Sequence, residues 1–213
     1  METSWKILLL FTLVLFAASP AAAKRFMIMG DSIQAGTGLT DVTKLTSHQL
    51  ETNANVVIHN FSSPGARMSN VGFFAGMTND GPCVQRVSGF FGMQGVIIAL
   101  GTNDWAGNTD FLTFFNDYVN LLDTIPPSLQ VVCLTPLWRT NDGTTNAQGY
   151  TLDHYRFAAA VACASRGHAF LDGRQAIPNN AAYFADTVHP NEAGHTAMAT
   201  FLQDELTALG WLP

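Results

Sequence analysis

Charge is scarce in this chain: only 12% of residues are Asp, Glu, Lys or Arg, about half the usual share of a soluble domain. The charge that is present sums to -6, a balance that argues against nucleic acid or an anionic membrane surface as the main partner. Cysteine is limited to Cys83, Cys133 and Cys163, an odd number that leaves at least one unpaired. No cysteine precedes Cys83, which excludes a lipid-modified cysteine near the N-terminus. No apolar run reaches the roughly 18 residues of a membrane span. Internal repeats, low-complexity tracts and long linkers are also missing. So are the H-E-x-x-H pattern of zinc proteases and, around Ser32, the G-x-S-x-G elbow of the α/β-hydrolases.

The first 23 residues have the parts of a secretory leader. Lys6 supplies a modest basic region, Ile7 to Ala18 an apolar stretch, and Ala21-Ala22-Ala23 a small-residue cleavage site. We therefore expect a signal peptide over 1–23, export to the periplasm or beyond, and one domain over 24–213. Removing the leader takes away Glu2 and Lys6 and leaves the net charge unchanged. A chain of that size buries a full core without metal or disulfide staples.

Apolar runs recur as RFMIMG (25–30), NVVIHN (55–60), GVIIAL (95–100), QVVCLT (130–135) and HAFL (168–171). Their apolarity is continuous rather than alternating, as in parallel strands buried on both faces. Helix-like stretches lie between them: Asp41 to Glu51, a looser one near Cys83 to Val87, Asp110 to Asp123, Thr151 to Ser165, and finally Pro190 to Leu209. Alternation of strand and helix predicts a three-layer α/β/α sandwich with about five parallel strands in the flavodoxin-like order 2-1-3-4-5. Cys133 falls within an apolar strand and is expected to be a buried thiol. The partner of Cys83 or Cys163 stays open.

Ligands of open α/β sheets sit beyond the carboxyl ends of the strands. There the chain places GDS (30–32), SSPGARMS (62–69), GTNDWAG (101–107) and TPLWRTNDG (135–143). A serine nucleophile needs a base, a group to orient that base, and donors for an oxyanion. The compact Asp and His pair is DTVH, in which Asp186 and His189 stand three apart just before the final helix. A turn of helical pitch brings both to one side. Pro190 is well suited to start the helix. His195 is expected on that helix's surface, and His48, His59, His154 and His168 in structural or exposed places.

At this point the chain resembles the SGNH hydrolases, the GDSL esterase and lipase family, over nearly all of 24–213. Four blocks stand in the family's order: Gly30-Asp31-Ser32, the glycine of SSPGARMS (Gly65), Gly101-Thr102-Asn103-Asp104, and Asp186 to His189. The resemblance implies that Ser32 is the nucleophile, His189 the general base and Asp186 the group that orients it. The oxyanion donors it implies are the backbone amides of Ser32 and Gly65 and the side-chain amide of Asn103. It implies no cofactor and no metal.

Asp31 is then a loop organiser, since a neighbour of the nucleophile is poorly placed to reach the far side of an imidazole. The family's leucine is Ile33 here, a volume-conserving change, and Gly36 and Gly38 loosen the segment that follows. Phe73, Phe74, Phe90 and Phe91 suit core packing better than an acyl pocket. Trp105, Trp138 and Arg139 suit either packing or a substrate rim.

The leading reading is an exported serine esterase of simple, lipid or O-acylated carbohydrate esters, with a thioesterase or lysophospholipase next. A metal-dependent hydrolase on Asp31, Asp104, Asp186 and His189, or a non-catalytic binding module, ranks below both.

Overall fold

A computed structural model describes residues 23–69 and 92–212. The leader to residue 22, the stretch near Cys83 to Val87 and the four phenylalanines at 73, 74, 90 and 91 lie outside the described residues. Five parallel strands form the centre: β1 (Arg25–Gly30), β2 (Val57–Asn60), β3 (Gly95–Ala99), β4 (Gln130–Leu134) and β5 (Ala169–Leu171). Their order is β2-β1-β3-β4-β5, the doubly wound order expected. The continuous apolarity of the strands has the expected cause. Met27 and Met29 of β1 enter one core with Val96, Ile98 and Val131, while Phe26 and Ile28 enter a second with Ile97, Val132 and Leu134. The three central strands β1, β3 and β4 feed two cores at a period of two, while the edge strands β2 and β5 feed only the second, through Ile58 and Leu171.

Six helices are described: α1 (Thr46–Ala54), α2 (Thr102–Ala106), α3 (Phe111–Thr124), α4 (Leu152–Ser165), α5 (Gly173–Ala176) and α6 (Glu192–Ala208). Helices α3 and α4 cover one face through Phe114, Tyr118, Leu121, Tyr155, Ala158 and Ala162. Helices α1 and α6 cover the other through Leu50, Met198, Leu202 and Leu206. No helix among the described residues is long and apolar enough to cross a membrane.

The structure corrects four expectations. Cys133 is no free thiol, because it is joined to Cys163 with their Cα atoms 6.3 Å apart; α4 lies over this face of the sheet and turns its last turn toward β4. The first helix begins later than expected, since Asp41 caps only a 3-10 turn at Val42–Lys44 and Leu45 leaves helical geometry before α1 starts. The last helix begins at Glu192, capped by the Asn191 side chain, which accepts the Gly194 amide at 3.1 Å. Finally, His195 is fully buried rather than on the surface, because α6 presents that side to α1.

The His195 ring meets Thr46 Oγ1 through Nδ1 at 2.9 Å, and Thr46 Oγ1 also lies 3.3 Å from the His195 carbonyl. Its Nε2 has no hydrogen-bond partner among the described residues. A bare acceptor costs less than an unpaired N–H in such a place, so the arrangement that satisfies most groups has the proton on Nδ1 and the Thr46 hydroxyl donating to the carbonyl. Burial pushes the ring's pKa down to about 4. Below its ordinary value of about 6.5 the unfolded chain takes up a proton that the folded chain refuses, so stability falls as pH drops from there toward 4, by about 3 kcal/mol. We predict that His195→Leu gains about that much on wild type between pH 7.5 and pH 4 in paired urea unfolding curves. A constant difference across this range would contradict the assignment.

Candidate active site

Strand β1 ends at Gly30, and the chain turns at once. The Ala35 amide donates to the Asp31 carbonyl at 3.0 Å and the Thr37 amide to the Ser32 carbonyl at 2.9 Å. The Asp31 carboxylate accepts the Ile33 amide at 2.9 Å, so the acid beside the hydroxyl shapes the turn that carries it, the role expected from sequence. Burial pushes Asp31 up to about 7; the Ile33 amide and the His189 ring oppose that rise, and Asp104 adds to it. A cavity of about 10 Å³ lies beside it, bordered by Thr102 and Thr135, room for about one water.

The loop before α6 brings the base to the serine across 157 positions of sequence. His189 Nε2 lies 2.9 Å from Ser32 Oγ, and His189 Nδ1 lies 2.7 Å from Asp186 Oδ2. The other Asp186 oxygen accepts the amides of Val188 and His189, both at 2.7 Å. Burial pushes this carboxyl up, but the His189 ring bond, the two amides and the His189 charge together bring it down to about 2. It is therefore ionised near neutral pH.

Backbone pairing pins both ends of the loop. Phe184 and Pro190 form an antiparallel bridge, and the Ala185 amide donates to the His189 carbonyl at 2.8 Å. Pro190 thus closes the loop rather than starting the helix. Trp138 packs edge-on against Phe184 with ring centroids 5.0 Å apart, which is the packing alternative for that tryptophan. Gly38 closes the remaining side. Its φ is +95°, and a Cβ there would stand 3.0 Å from that of Ala185 and 3.4 Å from that of His189.

Two further loops complete the rim. After β2, Ser63-Pro64-Gly65-Ala66 closes with the Ala66 amide on the Ser63 carbonyl at 3.0 Å, and Gly65 has φ +77°. Proline second and glycine third at positive φ fit a type II turn. Asn103, on α2 after β3, donates from Nδ2 to the Ala66 carbonyl at 3.0 Å. Its neighbour Asp104 is fully buried and accepts the amides of Met68 at 2.8 Å and Ser69 at 3.0 Å. Burial pushes Asp104 up to about 6, held back by those amides and by Arg67. The Gly65 loop and the Asn103 helix are thus tied together by the GTND block itself.

Sequence reasoning missed Arg156. It is buried in α4, donates Nε to the Pro136 carbonyl at 2.8 Å and Nη2 to the Leu137 carbonyl at 2.6 Å, and grips both oxygens of Asp142. It thereby folds the loop after β4 onto the domain. That loop reaches the base in turn, with the Thr140 amide donating to the Thr187 carbonyl at 3.1 Å. One signal was available: Arg156 is a lone cation on a helix whose buried side is otherwise Leu152, Tyr155, Ala158, Ala159, Ala162 and Cys163. Gly38 carried no comparable signal.

The carboxylates of the metal alternative face amides and an imidazole, and no group of three or more His, Cys, Asp or Glu among the described residues is arranged to hold a metal ion. The doubly wound sheet with this set of loops defines an SGNH hydrolase fold. The chain belongs to the GDSL-like Lipase/Acylhydrolase family, whose profile matches residues 28–197. Among solved structures it is similar to a lipase/acylhydrolase from Enterococcus faecalis, with a TM-score of 0.70, 18% identity, and 89% of this chain and 97% of that one covered. A protein from Lactobacillus plantarum is 25% identical at a TM-score of 0.70, with 88% and 98% covered. A salicylyl-acyltransferase from a tetracycline biosynthetic pathway reaches a TM-score of 0.73 at 16% identity, with 90% of this chain but only 56% of that longer chain covered. The comparison with curated proteins gave no match.

Gly38→Ala should strain a left-handed backbone position and push on His189 at once. We expect a loss of about 1–3 kcal/mol in stability, read by thermal unfolding, together with a displaced His189 ring resonance in NMR spectra. A variant with an unchanged melt and an unmoved resonance would show that the glycine does not fit the base into place.

Proposed function

We propose that the chain is a serine esterase hydrolysing carboxylic esters through an acyl-enzyme. The observation that carries this reading is the continuous chain of contacts Asp186–His189–Ser32, at 2.7 and 2.9 Å, on the sheet edge where the Gly65 and Asn103 loops also lie. Ser32 Oγ attacks the ester carbonyl carbon while its proton passes to His189 Nε2, and ionised Asp186 stabilises the resulting imidazolium. The carbonyl oxygen becomes an oxyanion, received by the Ser32 and Gly65 amides and by Asn103. One of the two Nδ2 hydrogens of Asn103 is committed to Ala66; the second is the donor for the anion. Collapse breaks the ester bond, and the alcohol leaves with the proton from His189. Water then attacks the acyl-serine by the same proton route and releases the acid.

Two features support export: the leader-like segment 1–23 and the Cys133–Cys163 disulfide, which suits an oxidising compartment. Intact-mass measurement on exported protein should give a chain beginning at Lys24. A mass that retains residues 1–23 would mean that the segment is not removed.

A fluorophosphonate should label Ser32 and no other serine in peptide mass spectra, and Ser32→Ala should lose both label and turnover of 4-nitrophenyl esters. Asn103→Ala should lower kcat by about 10² to 10³ with little change in KM, because an oxyanion donor binds charge that exists only in the transition state. Thermal unfolding measured alongside separates this from misfolding. Wild-type kcat in Asn103→Ala, or a loss that tracks a lowered melting temperature, would remove Asn103 from the mechanism.

A further inference from the structure

The loop after β4 carries a cation that the ester chemistry above does not use. Arg139 is half-buried, with its guanidinium carbon 4.7 Å from the centroid of the Trp105 ring. Trp105 is itself immobilised: it is buried, donates Nε1 to the Tyr150 carbonyl at 3.0 Å, and its own carbonyl accepts Asn146 Nδ2 at 3.1 Å. Arg139 Nε donates to Asn141 Oδ1 at 2.6 Å. The guanidinium is therefore held by an aromatic ring beneath it and a hydrogen bond at its base. The two terminal nitrogens hold no hydrogen bond to any described residue.

Three carboxylates act on this cation through space, Asp142, Asp186 and Asp31, while burial works against its charge. Each of the three is engaged elsewhere. Asp142 is held by Arg156, Asp186 by His189 and two amides, and Asp31 by the Ile33 amide. The next residue, Thr140, donates its amide to the Thr187 carbonyl at 3.1 Å, between Asp186 and His189, so the backbone beside Arg139 is fastened to the loop that carries the base. A surface arginine held for solubility would extend into water. This one lies over an indole ring, partly desolvated and supported by the buried Arg156 beneath its loop; the ring and Asn141 hold it in place and leave the terminal nitrogens to an incoming acceptor.

We propose that Arg139 is a specificity-determining residue that binds an oxyanion carried by the ester substrate close to its scissile bond, a carboxylate or a phosphate. The proposal rests on the esterase reading and narrows its substrate class to anionic esters. An arginine whose terminal nitrogens hold no bond to the described residues can form paired, charge-assisted bonds to either group. Lysine keeps the charge and loses the fork.

The test compares matched pairs of esters on wild type, Arg139→Gln and Arg139→Lys: 4-acetoxybenzoate with its methyl ester, a monoacylglycerol phosphate with the monoacylglycerol, and 4-nitrophenyl hemisuccinate with 4-nitrophenyl butyrate. The readout is the anionic-to-neutral ratio of kcat/KM within each pair, in which the intrinsic reactivities cancel between variants. In at least one pair Arg139→Gln should lower the ratio about 10- to 100-fold, mainly through KM, with Arg139→Lys in between. Added salt should lower the wild-type ratio. The first two pairs tell a carboxylate from a phosphate on the alcohol side, and the third places the charge on the acyl side.

Ratios that move less than about twofold in all three pairs would overturn the proposal. So would equal loss on both members of each pair, the mark of a structural or purely triad-tuning role. If wild type hydrolyses none of the six esters and fluorophosphonate leaves Ser32 unlabelled, the esterase reading itself fails. Neutral hydrolysis without a shift in ratio sinks only the role of Arg139.

Discussion

A parallel sheet cannot be joined by hairpins. Each strand must return to its starting edge before the next begins, so each connection crosses a face of the sheet, usually as a helix. In this chain the constraint sends the segments after β1, β2, β3 and β4 to one edge, where four loops from distant parts of the sequence meet. Ser32 and the Gly65, Asn103 and Arg139 loops are neighbours for that reason. The base arrives from the segment before α6, whose buried side, packed against α1 and the sheet, fixes where that helix begins.

Loops that meet at an edge are not thereby held still. The structure holds these with charged groups that each gather several backbone partners; Asp104 and Arg156 are buried, where an unpaired donor or acceptor would be costly, and Asp186 stays exposed. Asp104 gathers the amides of Met68 and Ser69. Arg156 gathers two carbonyls and a carboxylate of the loop after β4. Asp186 takes two amides of its own loop as well as the His189 ring. In each case one charge meets several backbone groups, a satisfied network that can rigidify a loop more than an isolated surface ion pair. The same groups shift the acidities around Ser32. Asp31 and Asp104 are raised by burial, while Asp186, which keeps an exposed side, stays low. A carboxylate facing an imidazole remains ionised while those committed to shaping backbone are pushed toward neutrality.

Much of this was legible before the fold was known, because it is encoded locally. Two-sided strands read as unbroken apolar runs. The residues Asp186 and His189 stand at a spacing that a single turn brings together. Ser63 to Ala66 spells its own turn in Pro64 and Gly65. What escaped notice depends on direction. His195 lies on a helix whose inward face is weakly marked, since Gly194 and Ala199 share it with Met198, Leu202 and Leu206, and residue type alone points that position to the surface although it is buried. Arg156 stands in plain view as one cation in its helix, with Asp153 three residues before it, but its other partners come from residues 136, 137 and 142. Cys133 was read correctly as buried and wrongly as a free thiol, because nothing near β4 reveals that the last turn of α4 lies over it.

Period, turn residues and residue type act over a few positions and need no partner, so they already set the elements, their alternation and the chemical groups at each strand's end. The contact of His189 with Ser32, the pairing of Cys133 with Cys163, the burial of His195 and the placement of Arg139 over Trp105 arise with the folded domain alone. These depend on which face of each helix turns inward and how far each loop reaches across the sheet edge. Packing settles that over the whole domain at once, by choosing the arrangement that buries both faces of the sheet and leaves few buried polar groups without a partner.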